Sequence, residues 1–272
     1  MFADILLVLG HEQNAASYGL SFARGFNADV TAVWPCASAP LFQEHVDGET
    51  RYALLVEEGN EGQKKVDADR RFLTRAAESG VNAHVFADAK PQRRFSGKLN
   101  HLARAYDLAI VEQSEATRYA PNGGLIGSLV SGCSRPVLAI PFIQRDPPSF
   151  ETVVVAWDAS ASAARALGDA LPILKRAGLI EIVTVANAGR EFASPDCDDV
   201  VRHLSRHGVP AVSRQIPGGD TTADTLLSYA AERGVTFMVA GSYGHTRLAE
   251  SLIGGVTRTL LESMTIPLFI SH

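Results

Sequence analysis

Short apolar segments alternate with amphipathic segments of helical spacing along the whole chain. The apolar segments Leu108–Val111 and Val153–Ala156 contain no polar position, which is typical of parallel strands that helices cover on both faces. Between residues 163 and 174, apolar side chains recur at the spacing of a helix that buries one face. This alternation of strands and helices predicts an α/β protein with doubly wound parallel sheets.

The pattern predicts the same succession of elements in each half of the chain. The predicted strands cover 4–9, 29–34, 82–87, 107–112, 136–141, 152–157, 180–186, 211–216, 236–240 and 267–271. The predicted helices cover 13–26, 61–79, 92–105, 124–133, 160–176, 197–207, 221–233 and 255–264. Pro172 interrupts one helical pattern, and we expect a kink or an early end there because proline lacks the N–H that a helix interior needs.

The two halves align with each other without gaps near their beginnings and near their ends. Ile5–His11 falls on Thr152–Asp158, and Gly123–Gly124 falls on Gly254–Gly255. An internal repeat of this length takes precedence over any single-domain interpretation. We therefore predict a duplication of one α/β unit.

A proline pair separates the two copies. Pro147–Pro148 stands between two strand patterns, and such a pair is typical of a linker. The predicted domains cover 1–143 and 151–272. Because the final strand of each copy would be a sheet edge, we expect the halves to pair within one chain as a pseudo-dimer, and two chains to form a homodimer.

Composition excludes several classes of protein. The chain has 272 residues, of which 46% are hydrophobic, and a formal net charge of -5. A mildly acidic chain has no general attraction for nucleic acid or anionic lipid, and no apolar run approaches the ~18 residues of a membrane span. Three widely spaced cysteines and the lack of a signal-peptide pattern favour a cytoplasmic protein.

A glycine-rich stretch follows the fourth strand pattern of the second half. Gly241 and Gly244 come directly after this strand, and Gly254 and Gly255 precede a helical pattern. Glycines at a strand end leave space for a ligand against the backbone, and the free N–H groups at the start of a helix suit a phosphate. The stretch therefore predicts a nucleotide-binding corner.

The first and fourth strands of the second half are expected to meet where the winding of the sheet reverses, which is where such sheets bind ligands. Asp158 ends the first of these strands, and its carboxylate can accept hydrogen bonds from an adenine amine or a ribose hydroxyl. Two alternatives stay open. Asp158 caps the helix that begins near Ser160, or Gly241 and Gly244 are ordinary turn residues.

These residues resemble the universal stress protein family in its tandem two-domain form. Gly241, Gly244 and Gly254 have the spacing of that family's motif, and Val155–Ser160 is similar to its first strand and acidic residue. The resemblance covers essentially the whole chain, most strongly the second half. It implies two five-stranded parallel domains, Rossmann-like and similar to adenine nucleotide alpha hydrolases. It also implies binding of ATP or AMP, with or without Mg²⁺, as in some members.

The resemblance further implies which residues contact the nucleotide. Asp158 would lie beside the adenosine, Val185 would line the base pocket, and the segment from Gly254 to Thr257 would cradle the phosphates. The complete implied set is Ala156, Trp157, Asp158, Val185, Ala240, Gly241, Gly244, Gly254, Gly255, Val256 and Thr257.

The sequence departs from the family pattern at several positions. Gly255 stands where the motif has Ser or Thr, which removes one hydroxyl donor and weakens the expected affinity. The ring of Trp157 either stacks on the base or fills the pocket itself. In the first half, His11 stands in place of Asp158 and Gln113 in place of Gly241, so we expect no nucleotide there.

No arrangement of residues predicts an enzyme. His203 and His207 have metal-ligand spacing on a predicted helix, but no third ligand is evident and we expect a solvated pair. No general base can be placed near a phosphate. The main hypothesis is a stress-response sensor or scaffold that binds an adenine nucleotide in its second domain. The alternatives are an interaction module of the same fold without a nucleotide, or a slow ATPase.

Overall fold

The computed structural model describes most of the chain. The described residues are 1–9, 14–34, 42–46, 49–53, 61–86, 95–113, 124–186, 197–242 and 254–272. The elements of the first half are β1 (Asp4–Val8), α1 (Asn14–Phe26), β2 (Asp29–Val33), β3 (Phe42–Val46), β4 (Glu49–Ala53), α2 (Glu61–Glu78), β5 (Ala83–Val85), α3 (Phe95–Ala103), β6 (Leu108–Glu112), α4 (Gly124–Gly132) and β7 (Val137–Ile140). Those of the second half are β8 (Thr152–Ala156), α5 (Ala161–Asp169), α6 (Leu171–Leu174), β9 (Leu179–Ala186), α7 (Asp198–Arg206), β10 (Val212–Pro217), α8 (Thr222–Arg233), β11 (Phe237–Gly241), α9 (Gly255–Ser263) and β12 (Leu268–Ser271).

Ten strands form one sheet in the order β10-β9-β8-β11-β12-β7-β6-β1-β2-β5. Neighbouring strands are parallel within each half. The first strand of each half lies between the second and the fourth, so the winding reverses at β1 and again at β8. The predicted α/β class, two doubly wound five-stranded units in tandem, is confirmed. The domain limits 1–143 and 151–272 stay a prediction.

The halves meet along their last strands. β12 pairs with β7 in antiparallel register, with Phe269 opposite Leu138. The buried amide of Gln113 adds a second link, because its Nε2 donates to the carbonyl oxygen of Leu261 at 2.6 Å. Aromatic rings also cross the junction. Phe2 lies 6.3 Å from Phe269, measured between ring centroids.

Two layers of helices cover the sheet. The helices α1, α2, α5, α6 and α7 contribute to one buried cluster, here called the α5 layer. The helices α3, α4, α8 and α9 contribute to the other, here called the α9 layer. Side chains of a strand point to the two layers alternately, as Val153 and Val155 do toward the α5 layer and Val154 toward the α9 layer. Among the described helices, none has the length and apolarity that crossing a bilayer requires.

The structure corrects one local expectation and confirms another. Strands β3 and β4 form a separate antiparallel hairpin that the apolar pattern did not predict, because they carry charged residues and lie outside the main sheet. The Asp47–Gly48 dipeptide between them was the available signal. The expected effect of Pro172 is confirmed. The helical pattern is broken at Ala170, and Pro172 lies in the first turn of α6, where no N–H donor is required.

A buried carboxylate connects three elements of the second half. Glu181 on β9 is fully buried, and its two oxygens accept hydrogen bonds from Arg233 at 3.1 Å and from Tyr229 at 2.8 Å, both on α8. Arg214 on the edge strand β10 lies 3.4 Å from the same carboxylate. Burial raises the pKa of Glu181, but the hydrogen bonds from Tyr229 and Arg233 and the charge of Arg233 outweigh it and lower the pKa.

We expect Glu181 to make the stability of the protein depend on pH. Because its pKa is lowered by folding, its contribution is complete above about pH 4.5, the ordinary pKa of a glutamate, and is lost as the pH falls below that value. Glu181→Gln should lower the free energy of unfolding at pH 7 by about 1–3 kcal/mol, and this difference should shrink in acid. Urea unfolding between pH 3 and pH 7 measures both effects.

Glu232→Gln is the matched control, because it makes the same chemical change at an exposed position of α8, away from the buried carboxylate. The expectation is contradicted if Glu181→Gln and Glu232→Gln change the unfolding free energy equally at every pH.

Candidate functional site

The carboxyl ends of β8 and β11 lie side by side in the second half. The two strands are parallel neighbours, with Val155 opposite Val239. Asp158 therefore follows β8 and Gly241 ends β11, at the same carboxyl-terminal end of two adjacent strands. This is the position at which the winding reverses, as the sequence predicted, and open α/β sheets bind their ligands at such a position.

Asp158 lies in the turn that leads into α5. It is exposed, and its Oδ1 accepts a hydrogen bond from the backbone N–H of Ser160 at 2.9 Å. The helix is capped by Ser160, whose Oγ accepts from the N–H of Ala163 at 3.1 Å. The alternative in which Asp158 is itself the cap is therefore wrong. Asp158 shapes the turn and leaves one carboxylate oxygen without a hydrogen bond to a described residue.

The predicted site residues do not all lie on the same face of the sheet. Ala156, Val185 and Ala240 all contact the α9 layer. The side chain of Trp157 packs against the α5 layer, because it directly follows Ala156, the last residue of β8, and points to the opposite face. The indole therefore neither fills the space on the α9 side nor joins the other predicted residues there. Its Nε1 is buried and has no hydrogen-bond partner among the described residues.

Gly241 is in close contact with the start of α5. A Cβ atom added to Gly241 would lie 2.6 Å from the carbonyl carbon of Ser162 and closer still to the nitrogen of Ala163. Real Cβ atoms are not found so close to a backbone. The absence of a side chain at Gly241 is therefore required by helix packing, whatever else the position does. Gly244 lies outside the described residues.

Helix α9 begins at the glycine pair as predicted. Gly254 is its N-cap with extended backbone angles, φ -65° and ψ 153°, and no described side chain caps the helix. Among the described residues, no atom lies within 4 Å of a Cβ built at Gly255, so the position is open toward them. Val256 is exposed, and Thr257 is 4% exposed. The first turn of α9 thus presents backbone N–H groups at an open surface.

Ser242 is a polar residue of this edge that the sequence interpretation missed. It follows Gly241 and is fully buried. Its backbone N–H donates to the carbonyl oxygen of Ser271 at 2.8 Å, but its Oγ has no hydrogen-bond partner among the described residues. A hydroxyl inside an otherwise apolar strand end was the available signal. A buried hydroxyl without a partner is costly, and a ligand oxygen at this edge would satisfy it.

The ladder hydrogen bonds correct the alignment of the two halves by one residue. The N–H of Leu9 donates to Val33, and in the same way the N–H of Trp157 donates to Val183. Leu9 is thus the counterpart of Trp157, which makes Gly10 the counterpart of Asp158 in place of the predicted His11.

The same correction applies to the fourth strand. Gln113 donates to Ile140 as Ser242 donates to Ser271, so Glu112 corresponds to Gly241 and the predicted equivalence of Gln113 with Gly241 is wrong.

The first half uses the equivalent positions for its own structure. Oε2 of Glu112 accepts from the N–H of Ala15 at 3.4 Å, at the start of α1. By the corrected register Ala15 corresponds to Ala163, the residue that Gly241 contacts in the second half. In the first half the start of α1 therefore faces the carboxylate of Glu112. In the second half the start of α5 faces Gly241, which has no side chain. Gln113, the next residue, links the two halves.

The histidine pair predicted on α7 is not part of a metal site among the described residues. The rings of His203 and His207 on exposed positions at the end of α7 lie 4.7 Å apart. No group of three or more possible metal ligands occurs in the part of the chain that the structure describes.

A sequence model of the universal stress protein family matches residues 149–272. The second half belongs to this family. The matched residues include every predicted site residue, from Ala156 to Thr257. No curated protein sequence matches the chain at a significant level.

Solved structures of universal stress proteins share the fold over the whole chain. One from Archaeoglobus fulgidus DSM 4304 is 16% identical, with a TM-score of 0.74 over 98% of this chain and 97% of its own. A putative universal stress protein from Pseudomonas aeruginosa UCBPP-PA14 is 13% identical, with a TM-score of 0.62 over 99% of this chain and 93% of its own. At these identities the likeness shows the fold alone.

A further universal stress protein was solved in complex with cAMP. It is 23% identical, covers 45% of this chain and 97% of its own, and has a TM-score of 0.34.

We expect Gly241→Ala to destabilise the protein without any ligand present. The added Cβ would collide with the first turn of α5, and overpacking of this kind costs about 1–3 kcal/mol. Gly168→Ala is the control, since a Cβ at Gly168 within α5 meets nothing within 4 Å and should be neutral or slightly stabilising. Thermal or urea unfolding of the two variants measures the difference, and equal stabilities would contradict the packing role of Gly241.

Proposed function

We propose that the second half binds an adenine nucleotide, ATP or AMP, and that the protein is a cytoplasmic stress-response sensor or scaffold. The observation that supports this most is the meeting of β8 and β11 at the winding reversal, where an exposed acidic residue and a strand-end glycine lie on neighbouring strands. Family membership of the second half supports the same proposal.

In this proposal each part of the edge has a distinct task. The free oxygen of Asp158 accepts a hydrogen bond from the adenosine. Ala156 and Val185, which lie on the α9 side of the sheet, contact the base. The uncapped N–H groups of α9 bind the phosphates, because a helix start favours negative charge. The hydroxyl of Ser242 supplies a donor that no described residue uses. A bound Mg²⁺ would neutralise phosphate charge.

The first half is proposed to be a structural partner without a nucleotide. The carboxylate of Glu112 stands at the start of α1, where it would repel a phosphate. Its pairing with the second half through β7 supports an intrachain pseudo-dimer. Homodimerisation of the chain stays a prediction; the sheet has two outer edges, β10 and β5, that a second chain could use.

A specific second candidate is an interaction module of the same fold that binds no nucleotide. Gly255 favours it, because the hydroxyl of the family motif is absent there. A slow ATPase is the weakest alternative, since no general base faces the predicted phosphates among the described residues. Protein purified with an absorbance ratio shifted toward 260 nm would favour the nucleotide proposal over the interaction module.

We expect Asp158→Ala to weaken ATP, ADP or AMP binding by about 10- to 100-fold, the equivalent of one hydrogen bond to a charged group. Isothermal titration calorimetry measures the affinity. Asp158→Asn keeps an acceptor for the N–H of Ser160 and isolates the effect of the charge. Asp146→Ala, at an exposed position of the linker, is the control. If the native protein releases no heat with any of the three nucleotides, the proposal fails.

We expect Gly255→Ser to strengthen nucleotide binding by about 2- to 10-fold, because it restores a hydroxyl at an open position and a neutral hydrogen bond contributes about 0.5–1.5 kcal/mol. Gly255→Ala is the matched control, since it adds the same Cβ and stiffens the backbone equally but brings no donor. Calorimetric titration of both variants with ATP separates the two effects. Equal affinities of the Ser and Ala variants would place the phosphates elsewhere.

A further inference from the structure

A cleft of about 770 Å³ lies at the junction of the two halves, and none of its lining residues belongs to the proposed nucleotide site. Six of its lining residues belong to the first half, among them Phe2, Phe26 and Arg135, and six belong to the second half, among them Asp169, Leu171 and Lys175. The cleft therefore exists only where the halves meet. Its volume falls within the roughly 300–1,000 Å³ of small-molecule sites.

The floor of the cleft is apolar and firmly held. Phe2 and Phe26 are 4% and 6% exposed, and their rings lie 5.3 Å apart in an edge-to-face arrangement. Leu171 and Pro172, in the first turn of α6, supply half-buried apolar surface from the other half. An apolar group placed here would exchange contact with water for contact with these side chains.

The two carboxylates of the cleft are already engaged. Oδ2 of Asp107 accepts hydrogen bonds from the backbone N–H groups of Ala3 at 2.8 Å and Asp4 at 3.2 Å. Oδ2 of Asp169 accepts from the hydroxyl of Ser271 at 2.9 Å. Neither carboxylate forms an ion pair with a cation of the cleft among the described residues.

Three cationic side chains therefore face the cleft without a carboxylate partner in the described part of the chain. Arg135 uses its Nε to donate to the carbonyl oxygen of Arg104 at 3.1 Å, which leaves its terminal nitrogens available. Arg176 stacks over the ring of Phe26 at 4.0 Å and donates to the carbonyl oxygen of Gly25. Lys175 is exposed and lies beside Arg176 at the end of α6.

We propose that this cleft binds a small amphipathic organic anion, that is, an apolar or aromatic body with a carboxylate, sulfonate or phosphate group. The apolar floor would hold the body, and Arg135 and Lys175 would bind the anionic group from opposite halves. Such a ligand bridges the two halves and stabilises their junction. The proposal does not depend on the nucleotide proposal, because the two sites share no residue.

The test uses two fluorescent probes with the full chain. 1-Anilinonaphthalene-8-sulfonate has an aromatic body and a sulfonate, and N-phenyl-1-naphthylamine has the same body without the charge. We expect the sulfonate to bind with a stoichiometry of one and at least about fivefold more tightly than the neutral amine. We expect Lys175→Glu and Arg135→Glu each to weaken sulfonate binding at least about fivefold and to leave binding of the neutral amine nearly unchanged.

Arg206→Glu makes the same change of charge at the exposed end of α7, outside the cleft, and should leave both affinities unaltered. Unchanged circular dichroism melting of the variants shows that they are folded. The proposal is overturned if the two probes bind equally, if Arg206→Glu weakens the sulfonate as much as Lys175→Glu does, or if ATP displaces the sulfonate competitively. The last result would assign the probe to the nucleotide site, and the nucleotide proposal would survive it.

Discussion

The antiparallel pairing of β7 with β12 is the constraint on which the rest of the molecule depends. An isolated five-stranded half would expose the backbone groups of its last strand along an open edge, which is a site for aggregation. Pairing the two last strands removes both edges and makes one sheet of the two. The helix layers then continue across the junction. Phenylalanine rings from both halves pack against the ring of Phe150, which lies in the connecting segment.

Much of this fold could be predicted from the sequence, because the distinction between strand and helix depends on local periodicity. The uniformly apolar segments became the buried central strands, and the break at Pro172 follows from the missing N–H of proline. The β3–β4 hairpin was missed because its strands form a sheet of their own and lack the apolar character of the main sheet. Its only local signal was a turn dipeptide.

The location of the candidate site could be predicted from the sequence, but the register of its residues along the strands could not. Strand order brings Asp158 and Gly241 to one edge, and that order follows from the winding. Alignment by apolar character could not determine the register, because consecutive apolar residues match equally well after a shift of one position. Such a shift moves every side chain to the opposite face. The ladder hydrogen bonds resolve it, and they also show why Trp157 and Ala156 contact different layers.

The contact of Gly241 with the first turn of α5 has a consequence for how such glycine motifs are interpreted. With α5 in this position, the second half requires a glycine here whether or not a ligand binds, so the presence of Gly241 does not by itself record binding. Gly255 is under no such steric demand. Unconstrained positions of this kind, and not the glycine spacing, are where gain or loss of nucleotide recognition should leave its mark.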